Sequence, residues 1–357
     1  MSCAEEILRV LLDFDDSAIG TRMRTTITEI ALKSGVSAAT VDRVLNGRSG
    51  VRERTREIVL TVARELGYFG PADIAPTRRV RLDFVLPAGT NSFMRNLRGQ
   101  LIDEAARHED VQLRIHDVED WSAGRIERRL AELHDQTDAV GVVAPDRPEI
   151  REELNALARE GVRIATLVSD VPAVDKIGYV GVDNRAAGRL AGLLLGRFLG
   201  PGKGGNIALF VGSRAYRGHE EREMGFRSIL ADEFADLRIT AYAEVGDDRE
   251  QAHEEMRRIL QAGQVDGVYN IGSGNQGIAR ALREAHLAQQ VVFIGHDLTD
   301  ATRLLLLDRT MDAVIDQNHR VQAREAVRLL TAAVRGTTER EYPPRLQVVF
   351  RENIPAS

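Results

Sequence analysis

Apolar positions follow two regimes along this chain: helical spacing before residue 70, then short β-branched runs alternating with helical ones from Val80 onward. At the front, Ile27, Ile30 and Ala31 stand at i, i+3 and i+4, one apolar face of a first helix. Thr26 and Glu29 have the spacing of a capping box, which pairs side chains with the free amides of a helix start. Ser34-Gly35-Val36-Ser37 interrupts that helix, because Gly35 admits the positive φ of a sharp reversal. Ser37 suits the N-cap of a second helix whose apolar face is Val41, Val44 and Leu45. A third helix over 52–67 places Ile58, Val62 and Leu66 on one stripe that closes a three-helix core. Two helices across a short glycine turn make a helix-turn-helix, whose second helix enters the DNA major groove.

Strands are predicted at 80–86, 111–115, 139–143, 163–167, 178–182, 206–211, 239–245, 267–271, 291–295, 311–315 and 346–350. Helical runs such as 97–108, 149–161, 185–199 and 278–286 separate most of them. Repeated βα units predict an α/β fold with parallel sheets and helices on both faces. So many strands exceed one comfortable sheet and split into two lobes. The expected organisation is an all-α helix-turn-helix headpiece at 23–69, a linker at 70–79 and a two-lobed core at 80–357. The linker is marked by the Pro and Gly punctuation of Phe69-Gly70-Pro71-Ala72-Asp73-Ile74-Ala75-Pro76. Residues 1–22 are either an extension, with Ile7, Leu8, Val10, Leu11 and Leu12 suited to a short amphipathic helix, or a stretch preceding a true start at Met23.

Composition narrows the classes. The 357 residues are 43% apolar with a net charge of −6, which argues against a protein that coats nucleic acid along its whole length. The headpiece is different: residues 23–69 carry eight Lys/Arg against five Asp/Glu, a locally basic module on an acidic protein. Cys3 is the single cysteine, so no disulfide framework or Cys-based metal site is expected, and a cytoplasmic location fits. No apolar run reaches the roughly 18 residues of a membrane span, and the acidic N-terminus lacks a signal peptide's basic start.

The headpiece closely resembles the DNA-binding domain of the lactose-repressor (LacI/GalR) family. Gly35-Val36-Ser37, Thr40-Val41, Arg43-Val44-Leu45-Asn46, Thr55-Arg56 and Leu66-Gly67-Tyr68 carry the resemblance. The βα alternation behind it is similar to that family's periplasmic-binding-protein-like (type I) core, of the ribose-binding-protein kind. The resemblance implies a homodimer that binds operator DNA and a small sugar-like effector held between the lobes at strand ends. It also implies a hinge helix with a leucine wedge after the headpiece. Here Pro76 would break such a helix, and Ile74 is the only apolar substitute for the wedge. The C-terminal segment shows no leucine heptads, so a dimer rather than a tetramer is expected.

Within the headpiece the resemblance assigns base reading to Ala38 and Ala39, which follow the capping Ser37, and to Arg43. The alanines offer methyl contacts, as to a thymine C5-methyl, while Arg43 matches a guanine in bidentate fashion. Thr40 and Asn46 are expected at the DNA backbone, and Thr26, Ser37 and Arg48 complete the expected DNA-binding set. Asp42 stands where the family usually has serine; a carboxylate there either accepts from a cytosine amino group or orients Arg43.

In the core, Asn91 and Phe93 match the family's first-loop polar group and ring-stacking aromatic, Arg222 its cleft arginine, Asp297 its strand-end aspartate and Gln317 a position on the same cleft. Ser169 and Asp170 stand where sugar binders place an aspartate and an arginine. Either Asn270 or Asn275 supplies the expected asparagine, since Gly272-Ser273-Gly274 shifts the register. Carboxylate, amide and guanidinium groups beside an aromatic face suit a polyol, whose hydroxyls both donate and accept. The departures leave open a sugar, a polyol, or an acidic or phosphorylated relative.

One motif points elsewhere. Gly272-Ser273-Gly274-Asn275-Gln276-Gly277 reads G-x-G-x-x-G between a strand and a helix, with Asp297 twenty residues on, as in dinucleotide-binding enzymes. That fingerprint normally opens its domain with further strands following, and here too little chain remains. Another alternative is a sugar-binding protein with a non-functional headpiece. Eight histidines lack metal-ligand spacing and there is no Gly-x-Ser-x-Gly elbow, so no metal, cofactor or catalysis is expected.

Overall fold

A computed structural model describes residues 25–46, 48, 50–66, 68, 79–89, 91–119, 123–200, 202–337 and 342–355. The chain divides into two compact units, with the boundary between Arg78 and Arg79. The expectations for residues 1–22 and Met23, and for the hinge wedge at Ile74, lie outside the described residues.

In the first unit, α1 (Ile27–Ser34) opens on a complete capping box. Thr26 Oγ1 accepts from Glu29 N–H, and Glu29 Oε2 accepts from Thr26 N–H at 2.7 Å. Gly35 closes α1 at φ 69°, and Ser37 caps α2 (Ala38–Leu45) by accepting from Thr40 N–H. Helix α3 (Glu53–Glu65) completes the bundle. The core is Ile30, Ala31, Val41, Val44, Val59, Val62 and Ala63, with Leu66 packed against it. The predicted stripe on α3 was one residue out of phase at its start, since Ile58 is 44% exposed and Val59 is fully buried.

The second unit has two lobes. Strands β1 (Val80–Pro87), β2 (Val111–Val118), β3 (Ala139–Val142), β4 (Arg163–Leu167) and β5 (Gly178–Val180) form a parallel sheet in the order β2-β1-β3-β4-β5. Helices α5 (Ala123–Ala131) and α6 (Pro148–Arg159) cover one face through Ile126, Leu130 and Leu154 against Val85 and Val140. On the other face α4 (Ser92–Ala105) buries Leu97 and Leu101 against Leu82 and Phe84. After α7 (Asn184–Leu199) come β6 (Gly205–Val211), α8 (Arg217–Glu233), β7 (Leu237–Glu244), α9 (Arg249–Ala262), β8 (Gly267–Asn270), α10 (Asn275–Glu284), β9 (Val292–His296), α11 (Asp300–Leu307) and β10 (Ala313–Asp316). These strands and β11 (Gln347–Val349) form the second sheet, ordered β11-β10-β9-β8-β6-β7, with only β11 antiparallel to its neighbour.

Helix α12 (His319–Arg335) follows β10 yet packs on the first lobe, where Ala323, Ala326, Val327 and Leu330 join the cluster of Leu82, Phe84 and Leu97. The chain therefore passes between the lobes before α7, again between β10 and α12, and once more before β11. Parallel strands aim their C-terminal ends toward a common cleft, where open α/β sheets place ligands.

Candidate functional site

On the headpiece, Ala38 and Ala39 are exposed at the start of α2, and Arg43 is exposed, its backbone carbonyl accepting from Arg48 N–H at 2.8 Å. Thr26 spends its hydroxyl and amide on the cap of α1, while Ser37 and Thr40 hydroxyls meet at 2.9 Å. Asp42 does not orient Arg43. Its Oδ1 accepts from Asn46 Nδ2 at 2.8 Å and its Oδ2 from Arg48 Nη1 at 3.3 Å. Asn46 also donates to the Asp42 carbonyl, so the carboxylate ties together the end of α2. The i, i+4 spacing of Asp42 and Asn46 was a readable signal for this contact.

In the core unit, two adjoining compartments of about 460 Å³ and 440 Å³, counting space open to solvent, lie between the lobes. Asn91, Phe93 and Asp297 line both; Ser169, Arg222 and Gln317 line one, Asn275 the other. Asn91 sits at the end of β1 and caps α4, accepting from the N–H of Phe93 and of Met94. Its Nδ2 donates across the cleft to Asp247 Oδ2 at 3.2 Å. Ser169 Oγ likewise accepts from Gly218 N–H of the facing lobe at 3.1 Å. Arg222 is buried on α8, donating from Nε to Asn184 Oδ1 at 2.8 Å and from Nη1 to the Ile271 carbonyl at 2.9 Å. Gln317 Nε2 donates to Asp297 Oδ1 at 2.9 Å, and its own Oε1 accepts from Gln322.

Two expected residues stand outside the cleft. Asp170 turns away to accept from Thr166 Oγ1 at 2.6 Å and pair with Lys176 Nζ at 3.0 Å. Asn270 is fully buried, donating to Gly272 O, Ser273 O and Asn275 Oδ1. It braces the loop, and Asn275 is the asparagine on the wall, itself held by donation to the His296 carbonyl at 3.3 Å.

Backbone strain gathers at the same strand ends. Val168, Asp247, Asp297 and Asn318 are non-glycine residues at φ between 54° and 68°. A β-branched residue such as Val168 rarely adopts that region, and such strain concentrates at functional sites. Asp247 is the main omission of the sequence reading: it lines both compartments. Its signal was the polar turn Gly246-Asp247-Asp248 at the end of β7. Asp316 was also missed. It accepts from the N–H of Leu298 and of Asn318 and thereby fixes the loop that carries Asp297.

Burial dominates the electrostatics. It raises the Asp297 carboxyl to about 7, against the opposing pull of the Arg222 guanidinium. Burial also lowers His219 and His296 below the usual imidazole value, with the Arg222 charge acting in the same direction on both. Both rings are thus neutral hydrogen-bonding groups at pH 7, and His296 Nε2 lies 2.8 Å from Tyr269 Oη.

The glycines of the G-x-G-x-x-G stretch serve close packing. A Cβ at Gly277 would lie 1.9 Å from the Arg249 carbonyl, and one at Gly272 would lie 2.2 Å from Asp247 Oδ1.

Fold and cleft together define a type I binding-protein core, two parallel sheets enclosing a polar ligand site, carried on a chain that also has a helix-turn-helix headpiece. Residues 82–338 match the family model for the periplasmic binding protein domain, and residues 26–70 match that for bacterial regulatory proteins of the lacI family. The chain belongs to the lacI family of bacterial regulatory proteins and carries that family's DNA-binding domain and core. It is 26% identical over 336 residues to the ribose operon repressor of Bacillus subtilis, spanning 91% of this chain and 96% of that protein. It is 49% identical over 63 residues to the HTH-type transcriptional regulator TreR of Salmonella typhimurium, which is 18% of this chain and 20% of that one. Among solved structures, GanP, a glucose-galactose binding protein from Geobacillus stearothermophilus, superposes with a TM-score of 0.71 at 22% identity, covering 78% of this chain and 99% of that one. A solute-binding protein from Bacillus halodurans with bound myo-inositol gives 0.72 at 18% identity, over 78% and 97%.

Proposed function

We infer that this protein is a DNA-binding transcriptional repressor whose affinity for its operator is set by a small polyhydroxylated effector held between the two lobes. The observation that carries the reading is the cleft itself. Donors and acceptors from Asn91, Ser169, Arg222, Asn275, Asp297 and Gln317 converge at strand ends, with Phe93 beside them. Such a set matches hydroxyls that both donate and accept and an apolar ring face. Several similar proteins have sugar repressor or sugar-binding names, which supports the same class. The mechanism requires the effector to favour one lobe arrangement over another; coupling of this kind is typically ~1–3 kcal/mol and reciprocal with DNA binding.

DNA recognition runs through α2, with Ala38, Ala39 and Arg43 at base edges and Thr26, Ser37, Thr40, Asn46 and Arg48 at the backbone. The functional divisions are a headpiece at 23–69, a linker at 70–79 and an effector core at 80–357. The working form is a homodimer on a pseudo-palindromic operator in the cytoplasm. The exposed leucines of α11 support the dimer: Leu304 is 63% and Leu307 51% exposed beside an open groove. No helix among the described residues is long and apolar enough to cross a membrane.

The test is a footprint of the full-length protein on the DNA upstream of its own gene, followed by titration with sugars and polyols. Arg43→Ala is expected to weaken operator binding by ~1–3 kcal/mol and relax the preference at one base position, leaving effector affinity unchanged. Binding with no sequence preference in the unaltered protein would refute the repressor reading.

A further inference from the structure

The glycine-rich stretch after β8 has a job that the effector reading alone does not explain. Gly274, the N-cap of α10, makes no side-chain cap, and this helix start has the backbone amides that bind phosphate in other folds. Just ahead of that N-cap the loop already holds an acceptor of the protein's own: Asp247 Oδ1 accepts from the N–H of Ser273, the residue before Gly274, at 2.7 Å. The same oxygen sits between two glycines from neighbouring strand ends: a Cβ would lie 2.1 Å from it at Gly212 and 2.2 Å at Gly272. The ends of β6, β7 and β8 are thus shaped around one carboxylate, on a residue held at φ 60°. Its second oxygen receives Asn91 from the opposite lobe.

We propose that Asp247 is the cleft's specificity residue, an internal anion that occupies the glycine loop, excludes phosphorylated ligands and restricts the effector to uncharged polyols. The proposal rests on the polyhydroxylated-effector reading and narrows it. Charge on the walls agrees. Asp247 and Asp297 both face the compartments, Arg222 has Nε and Nη1 already committed, and Arg249 lies exposed at the rim beside Glu250. An entering phosphate would meet the Asp247 carboxylate and an amide already taken, and would have to displace a fixed acceptor.

The experiment has two arms on the full-length protein. In the first, inorganic phosphate is the probe, compared with chloride at equal ionic strength. Asp247→Ser, which vacates the loop, should gain a phosphate-dependent rise in melting temperature of about 2 °C or more, while the unaltered protein shows none. Asn91→Ala removes the bond between lobes but keeps the carboxylate, and should stay unresponsive; a purely structural Asp247 would not separate these two variants. Equal responses from Asp247→Ser and the unaltered protein, or no response from either, overturn the proposal. Asp247→Asn, closest in shape, provides the folded comparison if the serine variant is too unstable, and should also become responsive. In the second arm, D-ribose, D-galactose, D-allose and myo-inositol are each compared with a monophosphate ester. An uncharged member should bind at least about tenfold more tightly than its ester, with the gap narrowed about tenfold or more in Asp247→Asn. An ester binding as tightly as its parent overturns the proposal. Binding of neither parents nor esters counts against the polyhydroxylated-effector reading, while the phosphate arm still decides the role of Asp247.

Discussion

Asp297 shows how much a single position depends on what is folded around it. Its place after a strand was readable, but its left-handed backbone, its bond from Gln317 and its raised carboxyl arise only when β9, β10 and α8 converge. Burial keeps this group protonated up to about pH 7, whereas the unfolded chain releases the proton near 3.8. The folded state therefore binds more protons between those values, and the stability due to Asp297 falls as pH rises from about 4 to about 7. Asp297→Asn should remove that slope, which is at most about 1.4 kcal/mol per pH unit, and should weaken effector binding. Melting of both proteins from pH 5 to 8 checks it; parallel curves would show that the group titrates normally. Asp170 and Asn270 stand at strand ends as the resemblance implies, but short-range partners draw them out of the cleft: Thr166 and Lys176 hold Asp170, and Gly272, Ser273 and Asn275 hold Asn270.

At the scale of elements, the helix-turn-helix was legible almost residue by residue because its signals are local. Caps act over three residues and a reversal over four, so Thr26, Gly35 and Ser37 are found where the sequence puts them. Gly35 at φ 69° is the strictest of these. Gly35→Val should destabilise the headpiece by ~1–2 kcal/mol, since a β-branched side chain resists left-handed backbone. Hydrogen exchange at Val41 and Val44 should accelerate about 5- to 30-fold, with effector affinity unchanged. Unaltered exchange would mean that the turn tolerates a side chain. What local signals did not settle is phase: Ile58 and Val59 are adjacent and both apolar, and only packing against α1 and α2 chooses Val59.

Across the whole molecule, the count of βα units was enough to expect two lobes, but not to foresee α12 returning to the first lobe after β10. The second consequence of long-range packing is the pair of leucines left outside on α11. Helix α11 buries Leu305 and Leu306 and leaves Leu304 and Leu307 in water, so apolar surface remains for a second copy to cover. Leu304→Glu combined with Leu307→Glu should convert the proposed homodimer to monomer in sedimentation and reduce operator affinity by at least about tenfold, with affinity for the proposed effector retained. A doubly substituted protein that still sediments as a dimer would place the interface elsewhere.

By itself the sequence determined the headpiece, the alternation of strands and helices, and the set of residue types at strand ends. Each of these follows from rules that act over a few residues or from a hydrophobic period. Tertiary structure alone decided that Asp247 sits in the glycine loop and meets Asn91, residues 156 positions apart. It also decided that Asn275, donating to the His296 carbonyl 21 positions away, stands on the cleft wall. Those choices depend on which strand ends become neighbours, and no local interaction along the chain carries that information.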